Sequence, residues 1–99
     1  MKKILYCAVI AGSVLAIPIA SAGGASGEAI GFTCAGCHGT DGESEGIVPS
    51  LKGEDEKSLR LMLMDFKSGT KKGTIMGRIA KGYSDEEIAA VAKYFANLK

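Results

Sequence analysis

An all-α fold of three to four helices is predicted by three features of the sequence. No stretch alternates apolar and polar residues with the two-residue period of a strand. Two segments repeat apolar residues at i, i+3, i+4 and i+7, the period of a helix with one buried face. The tetrad Ser84-Asp85-Glu86-Glu87 reads as a helix start, with Ser84 as N-cap and Glu87 reaching back from the third position.

Residues 1–22 read as a secretory signal peptide. Lys2 and Lys3 precede an apolar run from Ile4 to Ile19, and Ala20-Ser21-Ala22 offers a small-residue cleavage site. The run approaches the ~20 residues of a spanning helix, but Pro18 and the Ala-x-Ala end argue for removal. Cys7 sits near the front of the run rather than after it, against a lipid anchor, and leaves with it. Cleavage before Gly23 leaves residues 23–99, 77 residues and one expected domain. Periplasmic residence is the corresponding expectation.

The first helix is expected from about Ser26 to Cys34, with Ile30 and Cys34 four apart on one face. A glycine-rich loop carrying Gly39, Gly42, Gly46 and Pro49 follows. The second helix is expected from about Glu56 to Lys67. Leu59, Met62, Leu63 and Phe66 form its core-facing stripe, Glu54 or Asp55 supplies negative charge at its start, and Gly69 stops it. A second loop spans roughly Ser68 to Tyr83, and the last helix buries Ile88, Val91, Ala92 and Phe95. A 77-residue domain is marginal unless something supplements its core, and two loops this long suggest a function for them.

Cys34-Ala35-Gly36-Cys37-His38 supplies both. A Cys-x-x-Cys-His run is the attachment site of a c-type haem: the thiols add across the two vinyl groups, and the histidine that follows ligates the iron. His38 is the single histidine, so it is the proximal ligand and no bis-histidine haem forms within one chain. Without Cys7 the chain keeps two cysteines, both in the motif. Zinc needs four ligands and lacks them. A plain disulfide or a redox couple would not need His38, and a couple belongs on a βαβ scaffold. One covalent haem c per chain is expected, with the helices wrapped around it. The loss of Lys2 and Lys3 leaves ten basic against eleven acidic residues, a net charge of −1 with no nucleic-acid footprint.

For the distal iron position the mature chain offers Met62, Met64 and Met76. Met62 falls on the apolar stripe and reads as a core filler. Met64 lies off it, exposed or at the haem rim. Met76 sits in the loop Gly73-Thr74-Ile75-Met76-Gly77, where the backbone is free to carry a thioether to iron, and is the assigned ligand; an open or lysine-ligated site is the remaining alternative. A Met ligand favours Fe(II) and suits electron transfer. The carbonyl of Pro49 either accepts a hydrogen bond from the other ring nitrogen of His38 or merely punctuates the loop.

These residues carry a resemblance. Cys-x-x-Cys-His-Gly, a later loop methionine and a final Ser-Asp-Glu-Glu-Ile…Tyr-Phe helix resemble class I cytochrome c over residues 23–99. The resemblance implies a small helical fold with first and last helices crossing, His38 and Met76 as axial ligands, and Pro49 as partner to His38. Ile47-Val48-Pro49-Ser50-Leu51, Asp65-Phe66-Lys67-Ser68-Gly69 and the stretch Thr74 to Asp85 are similar to the monoheme cytochrome subunit of flavocytochrome c sulfide dehydrogenase, with parts shared by c4 and c553 cytochromes.

That likeness implies a chain that is not an enzyme on its own. It would accept single electrons from an FAD-containing sulfide dehydrogenase flavoprotein subunit, in a heterodimer, and pass them to a soluble acceptor such as another cytochrome c. The alternative is a freestanding shuttle cytochrome; a haem sensor or small peroxidase would need an open iron. The partner-facing surface is expected at the haem edge near Cys34 and Cys37, with Ile75, Ile79 and Tyr83 either contributing to it or walling the pocket.

Overall fold

The computed structural model describes residues 24–99, with Gly12 alone ahead of them. The expected signal segment 1–22, its cleavage site and Cys7 lie outside the described residues. Among the described residues the protein is all-helical, without strands.

Helix α1, Gly27–His38, begins at Ser26, whose hydroxyl accepts the N–H of Ala29 at 3.1 Å. It runs four residues beyond the expected end at Cys34. From Thr33 to His38 only Gly36 disfavours a helix, and a single glycine does not end one; the stop is Gly39, which takes φ 88° and donates its N–H to Ala35. A short 3-10 turn, Thr40–Gly42, follows. Helix α2, Glu56–Ser68, starts at Asp55, whose carboxylate accepts the Ser58 N–H at 2.9 Å, and ends at Gly69 in the left-handed region. Those two hydrogen-bond donors of Ser58, N–H first and hydroxyl second, hold the Asp55 carboxyl below its ordinary range.

The second expected loop contains a fourth helix, α3, Met76–Ala80. Five residues are too few to show a period, and Ile75 ahead of it provides no side-chain cap, so neither signal marks it in the sequence. Helix α4, Asp85–Ala96, carries the expected capping box in full: Ser84 Oγ accepts from Glu87 N at 3.1 Å and Glu87 Oε1 from Ser84 N at 3.0 Å.

Helix α4 is the hub. Its four stripe residues, Ile88, Val91, Ala92 and Phe95, are all buried. Helix α1 packs on it closely because Gly27 and Gly31 lack side chains; a Cβ at Gly27 would strike the carbonyl of Ala90, and one at Gly31 the ring of Tyr94. Helix α2 packs on α4 through Leu59, and Lys67 ties its last turn to Asp85 at 2.7 Å. Ile30, Leu59, Val91, Ala92 and Phe95 form the core, with Leu51, Leu63, Tyr83, Tyr94 and Leu98 packed against it.

Two expectations change here. Met62 is 42 % exposed rather than a core filler. Leu59, Leu63 and Phe66 occupy the inward arc of α2, and Met62 lies at its edge. Of the residues flanking Met76, Tyr83 joins the core, whereas Ile75 and Ile79 remain 58 % and 38 % exposed.

Candidate haem-binding site

The extension of α1 through the motif determines the geometry of the site. Cys34, Cys37 and His38 stand at i, i+3 and i+4 of one helix, the spacing that puts three side chains on a single face. Cys34 is half-buried and Cys37 exposed, and the two are not joined in a disulfide. Burial pushes the Cys34 thiol up. A redox couple requires the opposite environment, a depressed thiol at a helix N-terminus.

His38 is buried at the end of α1, and its Nδ1 lies 2.6 Å from the carbonyl oxygen of Pro49. A carbonyl only accepts, so Nδ1 carries the proton and the lone pair of the ring is on Nε2. The loop between the two residues is closed by a set of hydrogen bonds. Leu51 N and Lys52 N both donate to the Gly42 carbonyl, at 2.7 and 3.2 Å, Ser44 N donates to Ser50 Oγ at 2.9 Å, and Lys52 pairs with Glu43 at 3.2 Å. Gly42 is buried with φ 76°, and a Cβ there would lie 2.7 Å from the Phe95 ring. Sequence reasoning named Gly42 only as a loop glycine. Its fixing of the Pro49 loop is visible only once that loop closes over Phe95.

Met76 opens α3 and is half-buried. Helix α3 packs on α2, so Met76 and His38 belong to separate elements, which are joined through α2 and α4. Met64 is half-buried on α2.

The side chains fit a haem. Two thiols and an imidazole share a helix face, and the imidazole presents one nitrogen with the other satisfied. Cys34 and Cys37 are the residues that would hold it covalently. A bound haem supplies an iron that cycles between Fe(III) and Fe(II), one electron at a time.

Comparison with known proteins agrees. A family model described as Cytochrome c matches residues 25–99. The cytochrome subunit of sulfide dehydrogenase from Chlorobaculum tepidum is 50 % identical over 72 residues, 73 % of this chain and 66 % of that protein. Cytochrome c-553 of Nitratidesulfovibrio vulgaris is 35 % identical across 99 % of this chain and 100 % of its own length. The solved structure of cytochrome c4 from Acidithiobacillus ferrooxidans superposes with a TM-score of 0.63 at 35 % identity, covering 66 % of this chain and 38 % of that one. The chain therefore spans just under two thirds of the sulfide dehydrogenase subunit and well under half of that c4 structure. With one haem-attachment motif, this chain belongs to the cytochrome c family, as a monoheme electron carrier with covalently bound haem c.

Proposed function

We propose that this cytochrome is the electron-accepting subunit of a sulfide dehydrogenase. Residues 1–22 direct export and are removed, and residues 23–99 work as one domain in the periplasm. Cys34 and Cys37 carry the thioether bonds, His38 and Met76 are the axial ligands, and the Pro49 carbonyl holds the His38 ring in its ligating tautomer. Electrons arrive singly from an FAD-containing flavoprotein partner and leave to a soluble acceptor. The observation that carries the partner assignment is the 50 % identity to the Chlorobaculum tepidum subunit. The ligand assignment is supported by the His38–Pro49 hydrogen bond and by the position of Met76 at the start of α3.

The test is purification from the native host without detergent. Co-elution of a flavin-absorbing subunit in fixed ratio, with sulfide reducing the haem, is the expected result; a monomeric cytochrome free of flavin absorbance refutes the subunit assignment. Intact mass checks the rest, since the chain should weigh residues 23–99 plus one haem. A second reading, a freestanding shuttle, is favoured by the end-to-end match to cytochrome c-553, and the same purification separates the two.

A further inference from the structure

Between Glu43 and Leu51 the chain has little support from its own backbone. Glu43 N donates to Thr40 and Leu51 N to Gly42, but among the described residues no backbone–backbone hydrogen bond involves residues 44–50. Packing does not hold the tip of this segment either: a Cβ at Gly46 would meet nothing, and Ile47 is fully exposed. Two serine hydroxyls hold it instead. Ser44 Oγ accepts the Gly46 N–H at 3.2 Å, and Ser50 Oγ accepts the Ser44 N–H at 2.9 Å.

The second of these bonds closes a ring around the histidine. Ser44 is fixed relative to His38, because the backbone of Glu43 and Ser44 lies against Gly39, the next residue after the histidine. A Cβ at Gly39 would strike the Glu43 carbonyl and come within 3.1 Å of Ser44 Cα. Ser50 is joined to Pro49 by the peptide whose carbonyl oxygen stands 2.6 Å from His38 Nδ1. The proline ring fixes φ of residue 49, so that carbonyl is aimed by the two rotations beside its peptide, ψ of Pro49 and φ of Ser50. Both are restrained from the Ser50 side, where the hydroxyl grips Ser44 and the following N–H reaches Gly42 at 2.7 Å. Of these two grips only the hydroxyl belongs to a side chain.

We propose that Ser50 is a positioning residue for the iron ligand: its hydroxyl holds the Pro49 carbonyl on His38 and so sets how strongly the imidazole donates to iron. This rests on His38 being the proximal ligand and Pro49 its partner, as proposed above. A carbonyl held close to the Nδ1 proton makes the ring a more basic ligand, and a more basic ligand favours Fe(III). Loosening the carbonyl works the other way, so the loss of one exposed hydroxyl should raise the reduction potential.

Three holoprotein variants at one position test this. Ser50→Ala removes the hydroxyl, Ser50→Thr keeps it, and Ser50→Val has the shape of Thr without it. The Thr and Val pair decides the matter should Ala fail to take up haem. Redox titration reads the potential, and proton NMR of the Fe(II) form reads exchange of the His38 Nδ1 proton with heavy water. Ala and Val should shift the balance about threefold toward Fe(II), ~28 mV at about 59 mV per tenfold for one electron, and speed the exchange about tenfold. Thr should match the wild type in both. Ser26→Ala removes the cap at the other end of α1, and should lower the thermal midpoint without moving the potential. Ala and Val variants that behave like Ser26→Ala, with a lowered midpoint and an unmoved potential, overturn the proposal, as does a Thr variant shifted as far as Val. A wild-type Nδ1 proton that exchanges as fast as one open to water defeats the His38–Pro49 assignment itself. A protected wild-type proton with the potential unmoved in Ala and Val defeats this inference alone.

Discussion

Glu87 joins the beginning of the described chain to its last helix. Its Oε2 accepts the N–H of Ala25 at 3.0 Å, across 62 residues of sequence, while its Oε1 accepts the N–H of Ser84 at 3.0 Å. These two donors, Ser84 before Ala25, hold the Glu87 carboxyl below the ordinary glutamate range.

A pH dependence follows from that depression. A carboxyl whose folded pKa is lowered adds stability above its unfolded value, about 4.3 for glutamate, and loses it as pH falls through the folded pKa. Asp55 acts in the same direction through Ser58. The thermal midpoint of the holoprotein should drop on acidification below about pH 4.3, and Glu87→Gln with Asp55→Asn should flatten that slope. An unchanged slope in the double variant would place the acid sensitivity on other carboxylates.

The close approach of α1 to α4 predicts an order of damage. A methyl at Gly27 meets the Ala90 backbone, which cannot rotate away, whereas one at Gly31 meets the edge of the Tyr94 ring, which can. Gly27→Ala should cost about 2–4 kcal/mol and Gly31→Ala about 1–2 kcal/mol, within the range of overpacked sites. Denaturant midpoints of the two holoproteins, at matched slope, check it.

At the loop beyond the motif, Gly42 should matter more than Pro49. Gly42→Ala adds a strained positive φ and a clash with Phe95, together about 2–4 kcal/mol. Pro49→Ala keeps the carbonyl that His38 uses and costs only about 0.4–1 kcal/mol through the unfolded chain. Equal losses in a urea titration would show that the loop is not held through Gly42.

The methionines separate by spectroscopy. Met76→Ala should abolish the weak far-red charge-transfer band of Met-ligated ferric haem and lower the reduction potential, because a thioether favours Fe(II). Met62→Ala, at an exposed position on α2, should leave both intact. Persistence of the band in Met76→Ala would move the ligand to another residue.

Much of this was legible beforehand because the deciding signals are local. The capping box, the α4 stripe and the Gly69 stop depend on neighbours within four residues, and all three stand where the sequence puts them. The motif is equally local, and the cytochrome c family follows from it. What escaped depends on distant partners or short elements. Met62 has the right period for burial but lies at the edge of the arc that α4 covers. Helix α3 is shorter than two turns. The roles of Gly27, Gly31 and Gly42 depend on Ala90, Tyr94 and Phe95, which come near only in the folded chain.

The docking of α1 on α4 has a consequence for the order in which the chain becomes structured. Helix α1 has twelve residues, too few to be stable alone in water, and the surface it rests on, α4, follows it only after α2 and α3. Until residues 85–96 exist, the segment with Cys34 and Cys37 has nothing to fold against. Its thiols stay on an open stretch of chain until then, accessible to chemistry that a finished fold would hinder, and the arrival of α4 ends that interval.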